Sequence, residues 1–147
     1  MSIDSLSTPL HQAVKILREG PDGLYYALLY QGGIACFDKG NEKFLPVRFD
    51  KTLKLKDVLD FYWNGGNLYL TTSQGLFESR VVRKTEGEND FVLCILNPEP
   101  LVRGKVAHLC SDGKTNLYFS VNQGKVMHYD LVTKTASLIK EYSLSLI

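Results

Sequence analysis

Tyr25-Tyr26-Ala27-Leu28-Leu29-Tyr30-Gln31-Gly32 returns twice along the chain, as Leu68-Tyr69-Leu70-Thr71-Thr72-Ser73-Gln74-Gly75 and as Leu117-Tyr118-Phe119-Ser120-Val121-Asn122-Gln123-Gly124. Each copy carries Tyr in second place and closes on Gln-Gly. Tyr26, Tyr69 and Tyr118 stand 43 and 49 residues apart. A period of that length marks one supersecondary unit repeated along the chain, with neighbouring units needed to bury each other's apolar faces.

The match extends in both directions. Upstream stand Val14-Lys15-Ile16-Leu17, Val58-Leu59-Asp60-Phe61 and Val106-Ala107-His108-Leu109. Turns follow them at Gly20-Pro21-Asp22-Gly23, Asn64-Gly65-Gly66-Asn67 and Asp112-Gly113-Lys114. Downstream of Gln-Gly come Gly33 to Asp38, Leu76 to Val81 and Lys125 to Asp130. A fourth segment closes each unit: Lys43 to Phe49, Phe91 to Leu96 and Ala136 to Tyr142. Every unit thus holds four short runs rich in Val, Ile, Leu, Tyr and Phe, as pleated, half-buried strands prefer. Gly, Asn and Asp separate the runs because tight hairpins need positive φ at a central residue. A weak helix start at Ser7 to Leu17 is limited to a turn by Pro9 and the strand pattern behind it.

Four antiparallel strands repeating at this interval resemble a blade of a β-propeller. The third unit is most similar to WD40-type blades, through Val126-Met127-His128-Tyr129-Asp130 and the polar turn Leu131 to Thr135. The Gly-His dipeptide of such blades is missing from all three units, and Trp63 is not at the Trp-Asp position. The expected fold is all-β: three four-stranded antiparallel blades at residues 12–50, 56–97 and 104–142, followed by a strand at 142–147. Closed propellers typically have four to eight blades, so three form a half-propeller with an outer face uncovered at each end. Those faces are expected to be apolar and to be covered by a second copy, giving a six-bladed ring with twofold symmetry. A different protein supplying the missing blades, or a non-propeller packing of the three sheets, stands as the alternative. Tyr142, Leu144 and Leu146 alternate with polar residues and are candidates for an edge strand at the dimer joint.

Composition bounds the function. In 147 residues, 17 basic side chains balance 16 acidic ones, a net charge of +1 that exerts no general pull on nucleic acid or anionic membrane. No apolar run approaches the roughly 20 residues of a membrane-spanning helix. Residues 1–10 lack the basic start and apolar run of a signal peptide, so a cytoplasmic or nuclear location is expected. Cys36, Cys94 and Cys110, odd in number and widely spaced, are read as reduced and buried in apolar surroundings.

No catalytic motif is present: no phosphate-cradling loop, no Gly-x-Ser-x-Gly and no His-Glu-x-x-His. No cofactor, catalytic residue or metal ligand set is assigned. His108 and Cys110, two apart on one face of a strand, lack the second pair that a structural zinc site needs. The first strand of a propeller blade lines the central channel, which makes Arg18, Asp60, Tyr62 and His108 the channel candidates. Basic clusters at Lys51, Lys54 and Lys56 and at Arg80, Arg83 and Lys84 are interleaved with acids, the mark of a solvated surface and not of a nucleic-acid site. Trp63, Arg83, Lys84, Glu86 and Glu88 are candidates for loops that touch a protein partner. The function expected is a non-enzymatic interaction or assembly module, acting as a homodimer with a further protein partner. The alternative is a metal-dependent hydrolase or small-ligand binder of the six-bladed type, with Asp60 and His108 at its axis.

Overall fold

The computed structural model describes residues 13–30, 33–40, 42–49, 58–83 and 91–141. The expectations for Lys84, Glu86, Glu88, Tyr142, Leu144 and Leu146 fall outside the described residues. The described residues hold strands and turns but no helix, and so no helix long and apolar enough to cross a membrane.

Four strands form the first sheet: β1 (Val14–Glu19), β2 (Tyr25–Leu29), β3 (Ile34–Asp38) and β4 (Lys43–Pro46), paired in chain order. The third sheet repeats this meander with β11 (Val106–Ser111), β12 (Asn116–Val121), β13 (Lys125–Asp130) and β14 (Thr135–Glu141). The middle sheet is built on β6 (Val58–Asn64), β7 (Asn67–Thr72), β8 (Gly75–Arg83) and β9 (Phe91–Ile95), again antiparallel throughout. Three antiparallel four-stranded blades therefore follow one another along the chain, each one unit of the sequence repeat.

Short-range chemistry sets the hairpins. Gly23 takes φ 80° at the β1–β2 turn, where its N–H reaches the Gly20 carbonyl at 3.0 Å and Asp22 Oδ1 accepts from Leu24 N–H. At the turn before Gly75, the Thr72 hydroxyl accepts from the N–H groups of Gln74 and Gly75 and donates to the Gly75 carbonyl at 2.9 Å. The third blade uses Asp112, which accepts from the Lys114 and Asn116 N–H groups.

Two short strands depart from the repeat. The fourth run of the first unit, Lys43 to Phe49, splits at buried Val47, whose N–H bonds to the Ile34 carbonyl at 2.9 Å. Beyond it β5 (Arg48–Phe49) crosses to the middle sheet and pairs in parallel with β9. In the same way β10 (Val102–Arg103), ahead of the third blade, pairs with β8. Both connections are thus bonded to the middle blade.

The core lies between blades. Tyr26, Leu28, Ile34 and Cys36 of the first blade pack with Phe61, Leu68, Leu70, Phe77 and Leu93 of the second. On the second blade's other side, Tyr69 and Leu76 pack with Val106, Leu109, Leu117, Phe119 and Val121 of the third. Strand β7, covered on both faces, is buried from Leu68 to Thr72, whereas β12, with one open face, alternates between buried and half-buried. The outermost strand, β14, is exposed along its whole length.

The two outer faces differ, which corrects the expectation that both are apolar. On the first blade the face turned away from the second carries Leu17, Tyr25, Ala27, Leu29, Ala35, Phe37 and Phe44. Ala27, Leu29 and Ala35 at its centre are buried, and Leu17 and Tyr25 remain 55% and 39% exposed. The outer face of the third blade is polar, with Asn116, Tyr118, Ser120, His128 and Ser137 in register across β12, β13 and β14. Its side chains satisfy one another. His128 Nε2 donates to Asn116 Oδ1 at 2.6 Å, Asn116 Nδ2 donates to Asp112 Oδ2 at 2.7 Å, and the Tyr118 ring lies 5.3 Å from His128. The hydrogen bonds that Asp112 accepts from Asn116 and Lys114 hold its carboxyl below the usual carboxylate range.

Candidate functional site

The first strand of each blade carries a β-bulge near its start, one residue later in the third blade than in the other two. Register shifts occur between Val14 and Ile16, between Val58 and Asp60, and between Ala107 and Cys110. A bulge inserts a residue that has no partner across the ladder and re-aims its side chain. Here the inserted residues are Lys15 and Leu59, with His108 at the start of the two-residue irregularity in β11. All three line one cavity of about 400 Å³, together with Ile16, Asp60 and Ala107 of the same strands. Its wall is completed by Lys105, Ser120 and Gln123 of the third blade.

Asp60 is the tie between blades. Its Oδ1 accepts from its neighbour Phe61 N–H at 2.7 Å and from Arg18 Nη2 of the first blade at 3.3 Å. Its Oδ2 accepts from Leu109 N–H of the third blade at 2.9 Å. Arg18 also donates from Nε to the Phe61 carbonyl at 2.8 Å and lies over the Tyr62 ring, 4.9 Å from its centroid. One buried carboxylate thus connects β1, β6 and β11, with its charge met by a guanidinium and two main-chain donors. A second link, Asn64 Nδ2 to Ser111 Oγ at 2.9 Å, joins β6 to β11 near their far ends.

Three of the four channel candidates are therefore in contact, Arg18 with Asp60 and Tyr62, and His108 stands apart from them. Asp60 and His108 line the larger cavity, while Arg18 and Tyr62 line a shallower one beside Trp63. No hydrogen bond joins Asp60 to His108 among the described residues. Strand alternation placed His108 and Cys110 on one face, but the bulge breaks that alternation. Ala107 and Cys110 are the residues in register with Ser120 and Tyr118 on the open face, and Cys110 is exposed, not buried. Cys36 is buried between blades and Cys94 is half-buried. Trp63, expected in a contact loop, sits within β6 and packs against Tyr26 of the first blade, ring centroids 5.1 Å apart and planes tilted by 57°. Arg83 ends β8 opposite Phe91.

Lys15, Lys105, Ser120 and Gln123 were not anticipated at the site. Only the bulges could have revealed Lys15, and a bulge leaves no signature in an isolated apolar run. Among the described residues no three His, Cys, Asp or Glu side chains are grouped to hold a metal ion. Between the second and third blades the buried Tyr69 hydroxyl donates to Glu78 Oε2 at 2.7 Å. Burial, then this bond to Glu78, pushes the Tyr69 phenol well above its ordinary range. Burial raises Tyr129 as well, with Glu78 adding to it.

No protein-family model matches the sequence, and no curated protein does. Solved structures do match. The extracellular domain of a one-component system from B. thetaiotaomicron aligns with 95% of this chain at 13% identity and a TM-score of 0.71, over 20% of its own length. The β-propeller domain of Cps50 (Swd1) from Myceliophteria thermophila aligns with 88% at 10% identity and a TM-score of 0.58, over 40% of its length. The N-terminal domain of Nup159 aligns with 94% at 12% identity and a TM-score of 0.55, over 36% of its length. The chain thus spans between a fifth and two fifths of the length of these three chains, and its fold is that of β-propeller blades.

Proposed function

We propose that this chain is a non-enzymatic assembly module, a half-propeller that closes into a six-bladed ring with a second copy and offers the ring to a protein partner. The direction of the repeated tyrosine carries this reading. Tyr26 faces the second blade and Tyr69 faces the third, while Tyr118 lies on the open face of the third. Each blade therefore turns its tyrosine face toward its successor. Toward its predecessor it turns an aliphatic and aromatic face: Leu68, Leu70 and Phe77 in the second blade, Leu117, Phe119 and Val121 in the third. The faces left over are one of each kind. The third blade has a tyrosine face without a successor, and the first has a face without a predecessor whose centre, Ala27, Leu29 and Ala35, is buried within the chain and whose exposed part is Leu17 and Tyr25.

A second copy related by a twofold axis brings those faces together twice and leaves no free end. The polar character of the Tyr118 face suits such a joint. The internal Tyr69 face also includes Thr71 and Glu78, with their hydrogen bonds made inside the interface. Asp60 stands apart from the hydrolase alternative, because its two oxygens already serve Arg18, Phe61 and Leu109. A ring of two copies would show each loop surface twice and so bind a repeated or dimeric partner with gained avidity.

Light scattering coupled to size-exclusion chromatography tests the reading. The expected mass is twice the 16.6 kDa of the chain. A monomer that persists at tens of times a micromolar concentration would remove the ring and leave the missing blades to another protein.

A further inference from the structure

We infer that the cavity at the first strands is a binding site for a small organic anion, with its phosphate or carboxylate group held by Lys15 and Lys105 and a hydroxyl of the same molecule bonded to Nε2 of His108. The cavity is lined by residues of one chain, with Ser120 in its wall on the outer face of the third blade, where a second copy in the proposed ring would border it. Its volume of about 400 Å³ falls in the range of small-molecule sites, roughly 300–1,000 Å³.

The charge of its wall decides the sign of the ligand. Neither Lys15 nor Lys105 has an ion-pair partner among the described residues. Asp60, the one carboxylate in the wall, is already compensated by Arg18 and two N–H groups. Lys15 and Lys105, both exposed, are then the uncompensated charges among the lining residues, and their sign favours an anion. Lys105 is fixed by its main chain: its N–H donates to Asn122 Oδ1 at 3.1 Å, and its carbonyl accepts from Asn122 N–H at 2.9 Å.

His108 is a further polar side chain in the wall. Its φ of 54° is in the left-handed region and belongs to the β-bulge between Ala107 and Cys110, which turns the side chain out of the strand alternation. Asn122 and Gln123 also have positive φ and lie in the three-residue turn between β12 and β13. The Ser120 hydroxyl donates to the Ala107 carbonyl at 2.9 Å, so its oxygen accepts from His108 Nδ1–H at 3.2 Å. In the neutral ring that bond puts the proton on Nδ1, and Nε2 is then an acceptor. A wall with two ammonium groups and one ring-nitrogen acceptor matches a hydroxylated anion better than a simple one.

Titration of the isotopically labelled full chain, followed by NMR, tests this at constant ionic strength. The probes are citrate, tricarballylate (citrate without its hydroxyl) and inorganic phosphate, with glycerol as the uncharged control. The expected result is saturable shifts confined to the amides of residues 105–108 and 120–123 with citrate or phosphate, and none with glycerol. Saturation by one anion and not the other still supports the site and identifies the headgroup. Lys15→Gln and Lys105→Gln should each weaken binding about tenfold, the loss expected for one charge-assisted contact. His108→Asn, which tolerates positive φ, should remove the preference for citrate over tricarballylate. Melting temperatures equal to wild type keep these variants interpretable. Shifts that never saturate, or that persist unchanged in both lysine variants, overturn the inference.

Discussion

At the scale of single residues, Asp60 illustrates how one side chain can stabilise three blades at once. It is 7% exposed and accepts from Phe61, Leu109 and Arg18. Asp60→Ala strands the Leu109 and Phe61 N–H groups and leaves Arg18 half-buried without its counter-charge. Each stranded donor costs about 1–3 kcal/mol, so the variant should lose about 3–5 kcal/mol in urea denaturation. Asp60→Asn keeps one acceptor oxygen and should lose roughly half as much. A loss below about 1 kcal/mol for the alanine variant would show that the tie contributes little. The acidic residue itself was visible in the sequence as a first-strand carboxylate. Its role was not, because its decisive donor is a main-chain N–H on another blade, placed by a bulge. Tyr69 yields a pH prediction. Its phenol is raised in the folded state, so the folded protein keeps a proton that the unfolded chain releases near pH 10. Stability contributed by this group is complete below that pH and falls as pH rises beyond it. Chemical denaturation between pH 8 and about 11 should show a decline that Tyr69→Phe makes shallower. An identical slope in the variant would assign the decline to other groups.

At the scale of elements, the repeat was legible because local chemistry writes it three times. Turn glycines and apolar runs of similar length recur in every unit, so the strands and their order follow from neighbours in sequence. The crossings of β5 and β10 were not legible. Each is two residues long and held by main-chain bonds, which carry no side-chain pattern. The bulges share that silence, and with them Lys15 and the displaced Cys110 stayed hidden. Gly75 is where the crossing becomes testable. It takes φ 154° beside β10, and a Cβ there would lie 2.7 Å from Pro100 Cβ, pressed against the Val102 main chain. Gly75→Ala must therefore push β10 away from β8. A loss of about 2–4 kcal/mol is expected, the sum of backbone strain and overpacking. Increased amide exchange at Leu101 and Gly104, which bond to Leu76 and Gln74, should accompany it. Unchanged exchange there would mean that the crossing does not depend on this close approach.

For the whole molecule, the question is which outer face meets which. The sequence led to two apolar ends, as though each would bury itself against anything greasy. The structure instead has unlike ends, Leu17 and Tyr25 on one and Tyr118 and His128 on the other, so in the proposed dimer the joint would be head to tail. A twofold ring contains two such joints, each combining the first blade of one copy with the third blade of the other. Leu17→Asp places a charge in both joints of its own homodimer, and so does Tyr118→Asp. Both variants should run as monomers. Mixed together, they form one joint with both charges and one with neither, since the intact third blade of the Leu17 variant meets the intact first blade of the Tyr118 variant. The mixture should therefore recover a dimer, weaker than wild type because only one of two joints is sound. Light scattering on the separate and mixed variants measures this directly. If first blade met first blade, Leu17→Asp alone would dissociate the dimer and Tyr118→Asp would leave it whole. Head-to-tail closure is the arrangement that makes both substitutions disruptive and their mixture complementary.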